Sequence, residues 1–402
     1  MEEERYYEFT GETKKFYNRV VHRIRCTKDF RDYKVGDVGG WVEDYKNLSE
    51  QAWVEDEAVV CEYATVKGSA TIKETAVVFG FAKVCGTATI SGNAYVGDYA
   101  FVMDAGVSGN AGVCDCAEVK GNCVVTDHAV VKNNAEITDN ARIEGHARVT
   151  EYACVGMGAR VCDHAKLGGC AHVGGCALVC DHAWLMGNTM ADGYAVVGGM
   201  TYSMGALYVT DEAEVRCGGL PGPKKVFIPI KGTFRICGDA KVYGGAVVVS
   251  TASVYDDACV SDFAIITDAA YITNSAIVRG KVCVGGSAKI LDSAVIKHKG
   301  LYPLFISGRS IISGDAVVES NYDYIVLKNW WSSGRYFTCT RSNYMWRVGC
   351  FYGAGKELIA KAYKDSKVSG REYERVVKYV EQIKKDHKPS LWQRVKKMLT
   401  GK

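Results

Sequence analysis

Four of the eight histidines recur at a fixed interval: His128, His146, His164 and His182 each stand eighteen residues after the last. Three of them follow an aspartate, Asp127, Asp163 or Asp181, and Cys162 and Cys180 precede the last two aspartates. Imidazole, thiol and carboxylate together form the usual ligand set of first-row transition metals. Protonated imidazole also attracts anions, and neutral imidazole can act as a general base. The ligand or metal candidates are therefore His128, His146, His164, His182, Asp163, Asp181, Cys162 and Cys180, with His146 and His164 as the candidate catalytic bases. Duplication of a repeat copies whatever residue it contains, so equal spacing is equally the mark of an idle corner residue. Tyr63, Phe81 and Tyr99 share the same interval, as do Asn122 and Asn140, and columns of this kind commonly stabilise stacked coils without further purpose.

A second concentration of chemistry lies near the C-terminus, where Trp331, Arg335, Tyr336, Arg341, Tyr344, Trp346 and Arg347 interleave aromatic and basic side chains. Such residues suit a protein partner's hot spot or stacking on bases, and equally the core of a small domain. Beyond Pro389, helical spacing puts Leu391, Trp392, Val395, Met398 and Leu399 on one face, with Arg394, Lys396 and Lys397 on the other. This arrangement fits an anionic membrane surface or a partner groove, and also a helix packed on its own domain.

The elements that position these residues follow from a lattice of small residues six apart. It runs from Ala52 to Ala100, slips by one near Ala105, resumes from Ala111 to Ala195, and returns from Ala240 to Ala294. An aliphatic residue follows nearly every alanine by two. In a short strand, residues i and i+2 share a face, so the alanine and the aliphatic point inward and the residue between them points out. Gly, Asp and Asn fill the intervening corners, as at Gly68, Gly92 and Asp139, because they accept a left-handed backbone. Three sides make a coil, and coils must stack at about 4.8 Å to bury their inner faces. The histidine column should therefore occupy one edge of the stack. Cys123 stands where neighbouring repeats have Ala, which makes it a small hydrophobe.

This lattice resembles the left-handed β-helix of the hexapeptide-repeat superfamily, whose best-known members are trimeric acyltransferases, over roughly 52–316. The opening Gly39-Gly40-Trp41-Val42, followed by Asn47-Leu48-Ser49, is similar to the entry segment of poorly characterised bacterial and phage hexapeptide proteins assigned as transferases. The handedness comes from that resemblance, since ordinary parallel crossovers are right-handed. The resemblance also implies a homotrimer or another homo-oligomer. For an acyltransferase it implies acetyl-coenzyme A or another acyl donor, with a ladder histidine as base. The G-x-P-A-K/R type ending that such enzymes carry after their coils has only a faint counterpart at 220–225.

The predicted fold class is an all-β solenoid, a parallel β-helix with a small α+β C-terminal domain. The predicted boundaries are 1–50 for an N-terminal β cap, with a strand over 16–26, and 51–320 for the β-helix, with insertions near 217–233 and 298–308. An aromatic-rich domain of two or three strands backed by helices at 356–363 and 371–385 should span 321–388, and a basic amphipathic tail helix 389–402.

Composition narrows the function classes. A net charge of +3 over 402 residues gives no strong nucleic-acid signal. The start, Met-Glu-Glu-Glu, lacks the basic and apolar runs of a secretory leader, and the 17 cysteines are dispersed through repeats, so a cytoplasmic protein with reduced thiols is the expectation. The favoured reading is a non-catalytic scaffold that presents a C-terminal recognition domain to a protein partner, without a cofactor. The alternatives are a hexapeptide-type acyltransferase and, more weakly, a phage-type protein that sequesters a small ligand.

Overall fold

The computed structural model describes residues 5–203, 205–217, 233–330 and 332–386. The chain is a mostly β parallel solenoid followed by two helices, and it divides into two compact units, Met1–Asp268 and Ala269–Lys402.

The first unit opens with an antiparallel hairpin, Tyr7–Phe16 paired with Arg19–Cys26. A single strand over 16–26 is therefore corrected to two strands with a turn at Tyr17, whose φ is 49° and whose side chain is exposed. Val20 is exposed as well, whereas Val21, Ile24 and Cys26 are buried. The second strand pairs antiparallel with Val38–Val42, which then runs parallel to Val59–Val60, with Trp41 opposite Val59. The cap thus continues one face of the solenoid. It covers an edge that would otherwise be free to pair with another chain.

From Trp53 onward each coil contributes three short strands, and successive coils pair in parallel at an offset of eighteen residues, as Arg142 with Arg160. The lattice slip is visible in the ladder: Thr89 pairs with Gly106, Tyr95 with Gly112 and Phe101 with Glu118, all one residue short of that offset. The lattice alanines are almost fully buried, and Val54, Ile72, Ile90, Val107 and Val125 beside them have no exposure. Cys123 lies in the alanine column with 1% exposure, as its position requires. Most of the expected insertion near 217–233 lies outside the described residues, and Thr233–Ile236 pairs in parallel with Ala206–Val209. The lattice therefore restarts before Ala240.

The corners hold left-handed residues along their length, and the non-glycine ones are mostly Asp, Glu and Asn. Their side chains have a second task. The carboxylate or amide of a corner residue accepts the backbone N–H of the corner one coil on: Glu62 from Gly80 at 2.9 Å, Asp127 from Gly145 at 2.9 Å, and Asp163 from Asp181 at 3.0 Å. Each clasp satisfies a donor at the point where the strand ladder is interrupted.

The second unit begins with coils of the same kind, Tyr271–Ile272, Lys289–Ile290 and Ile311–Ile312 forming one side and Ile277–Gly280, Val295–His298 and Val317–Val318 another. The bulge near 298–308 is shorter than its sequence suggests, because Leu304–Ile306 already pairs with Val282–Val284. Four antiparallel strands follow, Tyr324–Lys328, Tyr336–Thr340, Met345–Val348 and Phe351–Ala354. Two helices back them, α1 (Gly355–Asp365) and α2 (Lys367–Asp386). Phe337, Trp346, Val348, Leu358, Tyr373 and Val377 form their shared core. Gly370 lets α2 approach α1, since a Cβ there would fall 2.3 Å from the Tyr363 ring. Among the described residues, no helix is long and apolar enough to cross a membrane.

Candidate functional site

The histidine column forms a ladder of stacked rings. Each histidine follows a left-handed corner residue, Asp127, Gly145, Asp163 or Asp181, with φ between 57° and 67°. That corner turns the imidazole out to solvent while the histidine N–H joins the next coil, as His128 to the Gly145 carbonyl at 2.8 Å and His164 to that of Asp181 at 2.8 Å. Ring centroids are 4.7 Å apart for His128–His146, 4.9 Å for His146–His164 and 4.9 Å for His164–His182. The interplanar angles are 5°, 7° and 30°. All four rings are exposed, and among the described residues no ring nitrogen of the ladder has a hydrogen-bond partner. The rings cover one another's faces, so they present edges.

The candidate aspartates and cysteines gather beside the ladder and not with it. Asp163, Cys180 and Asp181 bring one ligand atom each within 4.8 Å of the others, and Asp98, Cys114 and Asp115 do the same elsewhere. Neither group includes a histidine. Asp163 takes the Asp181 amide and lies 3.5 Å from the Cys162 thiol. Asp181 takes the Gly199 amide at 2.7 Å, which holds its carboxyl below the ordinary range, and pairs with Arg216 at 3.2 Å. Burial, reinforced by Asp163, pushes the Cys162 thiol up to about 12, and burial followed by Asp181 raises Cys180. Both thiols stay protonated at neutral pH. In that form they are poor nucleophiles, since attack requires thiolate.

The C-terminal candidates separate. Trp346 is 3% exposed and packs on Phe337, so it belongs to the core of its module. Arg347 is half-buried over the Tyr352 ring, and its Nε has no hydrogen-bond partner. Tyr336 is half-buried between Lys328 and Arg309, whose cationic groups lie 5.7 and 5.6 Å from its ring centre, and Arg335 is exposed. Trp331, Trp392, Arg394, Lys396 and Lys397, together with the tail 389–402, lie outside the described residues.

The same module carries a groove of about 710 Å³ lined by Leu327, Lys328, Asn329, Glu372, Arg375, Val376 and Tyr379. Asn329 is held rigidly there: its side chain donates to Ser332 Oγ at 2.5 Å and accepts the Ser332 amide at 3.1 Å. Trp330, the next residue, is 77% exposed. The groove joins a strand edge to a helix far along the chain, and the sequence carries no local signal for it.

The chain matches no known family model and no curated protein.

Proposed function

We propose that this protein is a non-catalytic scaffold whose solenoid holds a C-terminal recognition module toward a protein partner. The groove beside α2 carries this reading. It combines apolar walls, Leu327 and Val376, with the hydrogen-bonded amide of Asn329 and an Arg375–Glu372 pair at 2.9 Å, and the exposed Trp330 follows Asn329 in the chain. Interfaces concentrate their energy in aromatic and arginine side chains around such a centre. The solenoid's chemistry argues in the same direction. An acyltransferase base needs a second group to orient its imidazole, and among the described residues no ladder ring has one.

The six-residue sides, the eighteen-residue coil and the Gly39-Gly40-Trp41-Val42 entry support membership of the hexapeptide-repeat, left-handed β-helix superfamily. With that goes assembly as a homotrimer or another homo-oligomer.

The test is site-specific photo-crosslinking in cells, with the photoreactive residue at Tyr379 in the groove or at Tyr152 on a solenoid corner. A discrete partner band at position 379 that disappears with Val376→Asp, and is missing from position 152, is the expected result. Equal labelling at both positions would overturn the reading. So would a melting shift with millimolar acetyl-coenzyme A that is lost in His146→Ala, since a ligand that binds the folded state raises its stability.

A further inference from the structure

We propose that the histidine ladder binds first-row divalent transition ions, each held by a pair of neighbouring imidazoles. The inference is independent of the scaffold reading.

Three observations carry it. The four imidazoles point their edges, where the lone pairs lie, into solvent from one column. No protein group competes for those nitrogens among the described residues. The spacing brings neighbouring rings within reach of one ion: two imidazoles sharing an ion place their nitrogens at most about 4.2 Å apart, twice a metal–nitrogen bond of about 2.1 Å. Neighbouring ring centres stand 4.7–4.9 Å apart with nearly parallel lone pairs, so two rings must tilt toward one another to converge on an ion, a change of side-chain torsions that exposed histidines can make. The 30° between His164 and His182 shows that the stack admits more than one ring orientation.

The surroundings neither drive nor forbid binding by charge alone. Asp127, Asp163 and Asp181 precede three of the rings, but their carboxylates are committed to amides of the next coil. Arg148 and Lys166 follow two residues after His146 and His164, on the same outward face. Arg142 and Arg160 are paired with Glu144, and Arg216 with Asp181. Chelation by nitrogen must supply the affinity. This selects borderline ions in the order copper above nickel above cobalt, and excludes magnesium and calcium, which take oxygen ligands. Two protein ligands per ion leave coordination positions open, so the ions should exchange freely, unlike those of a closed structural site. His128 with His146 and His164 with His182 make two pairs, hence two ions per chain at saturation.

The experiment is calorimetric titration of the full chain, purified without a histidine tag and with its accessible thiols alkylated, using Cu²⁺, Ni²⁺ and Mg²⁺. Copper and nickel should bind at two per chain and magnesium not at all. The double variant His146→Asn/His164→Asn leaves His128 and His182 too far apart to share an ion, and should not bind at the concentrations that saturate the parent. The complementary variant His128→Asn/His182→Asn keeps one adjacent pair and should bind one ion, so the inference stays testable if the first variant fails to fold. His172→Asn and His22→Asn, off the ladder, should titrate like the parent. Absence of binding by the parent, or equal binding by parent and both double variants, would overturn the proposal.

Discussion

The hydroxyl of Thr338 accepts the backbone N–H of Ile311 at 3.0 Å, and Ser342 Oγ does the same for Val317 at 2.8 Å. Ile311 and Val317 lie on the last strands of their coil sides, where the next coil would otherwise supply the acceptor. The C-terminal sheet therefore closes the open end of the second unit with side-chain oxygens, so the module is a cap as well as the carrier of the groove. Thr338→Val keeps the shape of a buried residue and leaves one amide unsatisfied, at a cost of about 1–3 kcal/mol. Chemical denaturation should show that loss, and a smaller one for Ser342→Ala, where water can replace the hydroxyl. Deletion of 321–402 should then lower solubility by exposing a strand edge, measurable by light scattering.

Asp163 combines a φ of 57° with a carboxylate bound to the Asp181 amide. The two contributions can be separated by substitution. Asp163→Asn keeps both the left-handed tolerance and an acceptor, and should be close to neutral. Asp163→Gly keeps the backbone and loses the acceptor, whereas Asp163→Ala loses the acceptor and adds about 1–2 kcal/mol of left-handed strain. Thermal melts should rank Asn above Gly above Ala. Glycine melting at or above asparagine would mean that the clasp contributes little, and alanine at or above glycine that the left-handed strain does.

The period of the solenoid was legible because a single inward position recurs as alanine, and a one-residue slip at Ala105 stood out against it. The corner preference for Asp and Asn was legible as turn chemistry. Their role as acceptors was not, because it depends on which amide sits one coil above. The histidine column was legible from spacing alone, whereas the separation of its rings from Asp163 and Cys180 appears only once each side chain is oriented. Trp346 and Tyr336 looked equivalent as aromatic neighbours of arginine. Packing against Phe337 and the helices put the first in the core and left the second half-exposed. Leu327 and Val376 meet only through tertiary packing, so no local pattern could announce the groove.

Ala159 has no exposed surface, and its carbonyl accepts the N–H of Arg142 one coil below at 2.9 Å. Its methyl lies in a column only as wide as alanine permits. Ala159→Phe should cost at least about 1–3 kcal/mol through overpacking, or abolish folding, and Ala159→Ser should be far milder. Circular dichroism melts decide the matter, and an unchanged melt for the phenylalanine variant would contradict the register.

Glu57 fastens the N-terminal cap to the first coil, and its pH response has a definite sign. Its carboxylate accepts from Lys14 at 2.8 Å, Arg23 at 2.7 Å and the Trp41 indole N–H at 2.9 Å. Those hydrogen bonds, chiefly the one from Lys14, lower its pKa from an ordinary 4.5 to about 2. Because the folded value lies below the unfolded one, the stabilisation is fully present above about pH 4.5 and fades as the pH falls toward 2. The carboxylate is more than half exposed, so solvent screening holds the contribution to about 1 kcal/mol. Glu57→Gln should lower stability by about that amount at pH 7, and by progressively less as the pH drops from 4.5 to 2. Denaturation of parent and variant across that window tests the assignment: the two stabilities should converge at its acid end, and a gap that stays constant with pH would show that the Glu57 charge is not what holds the cap.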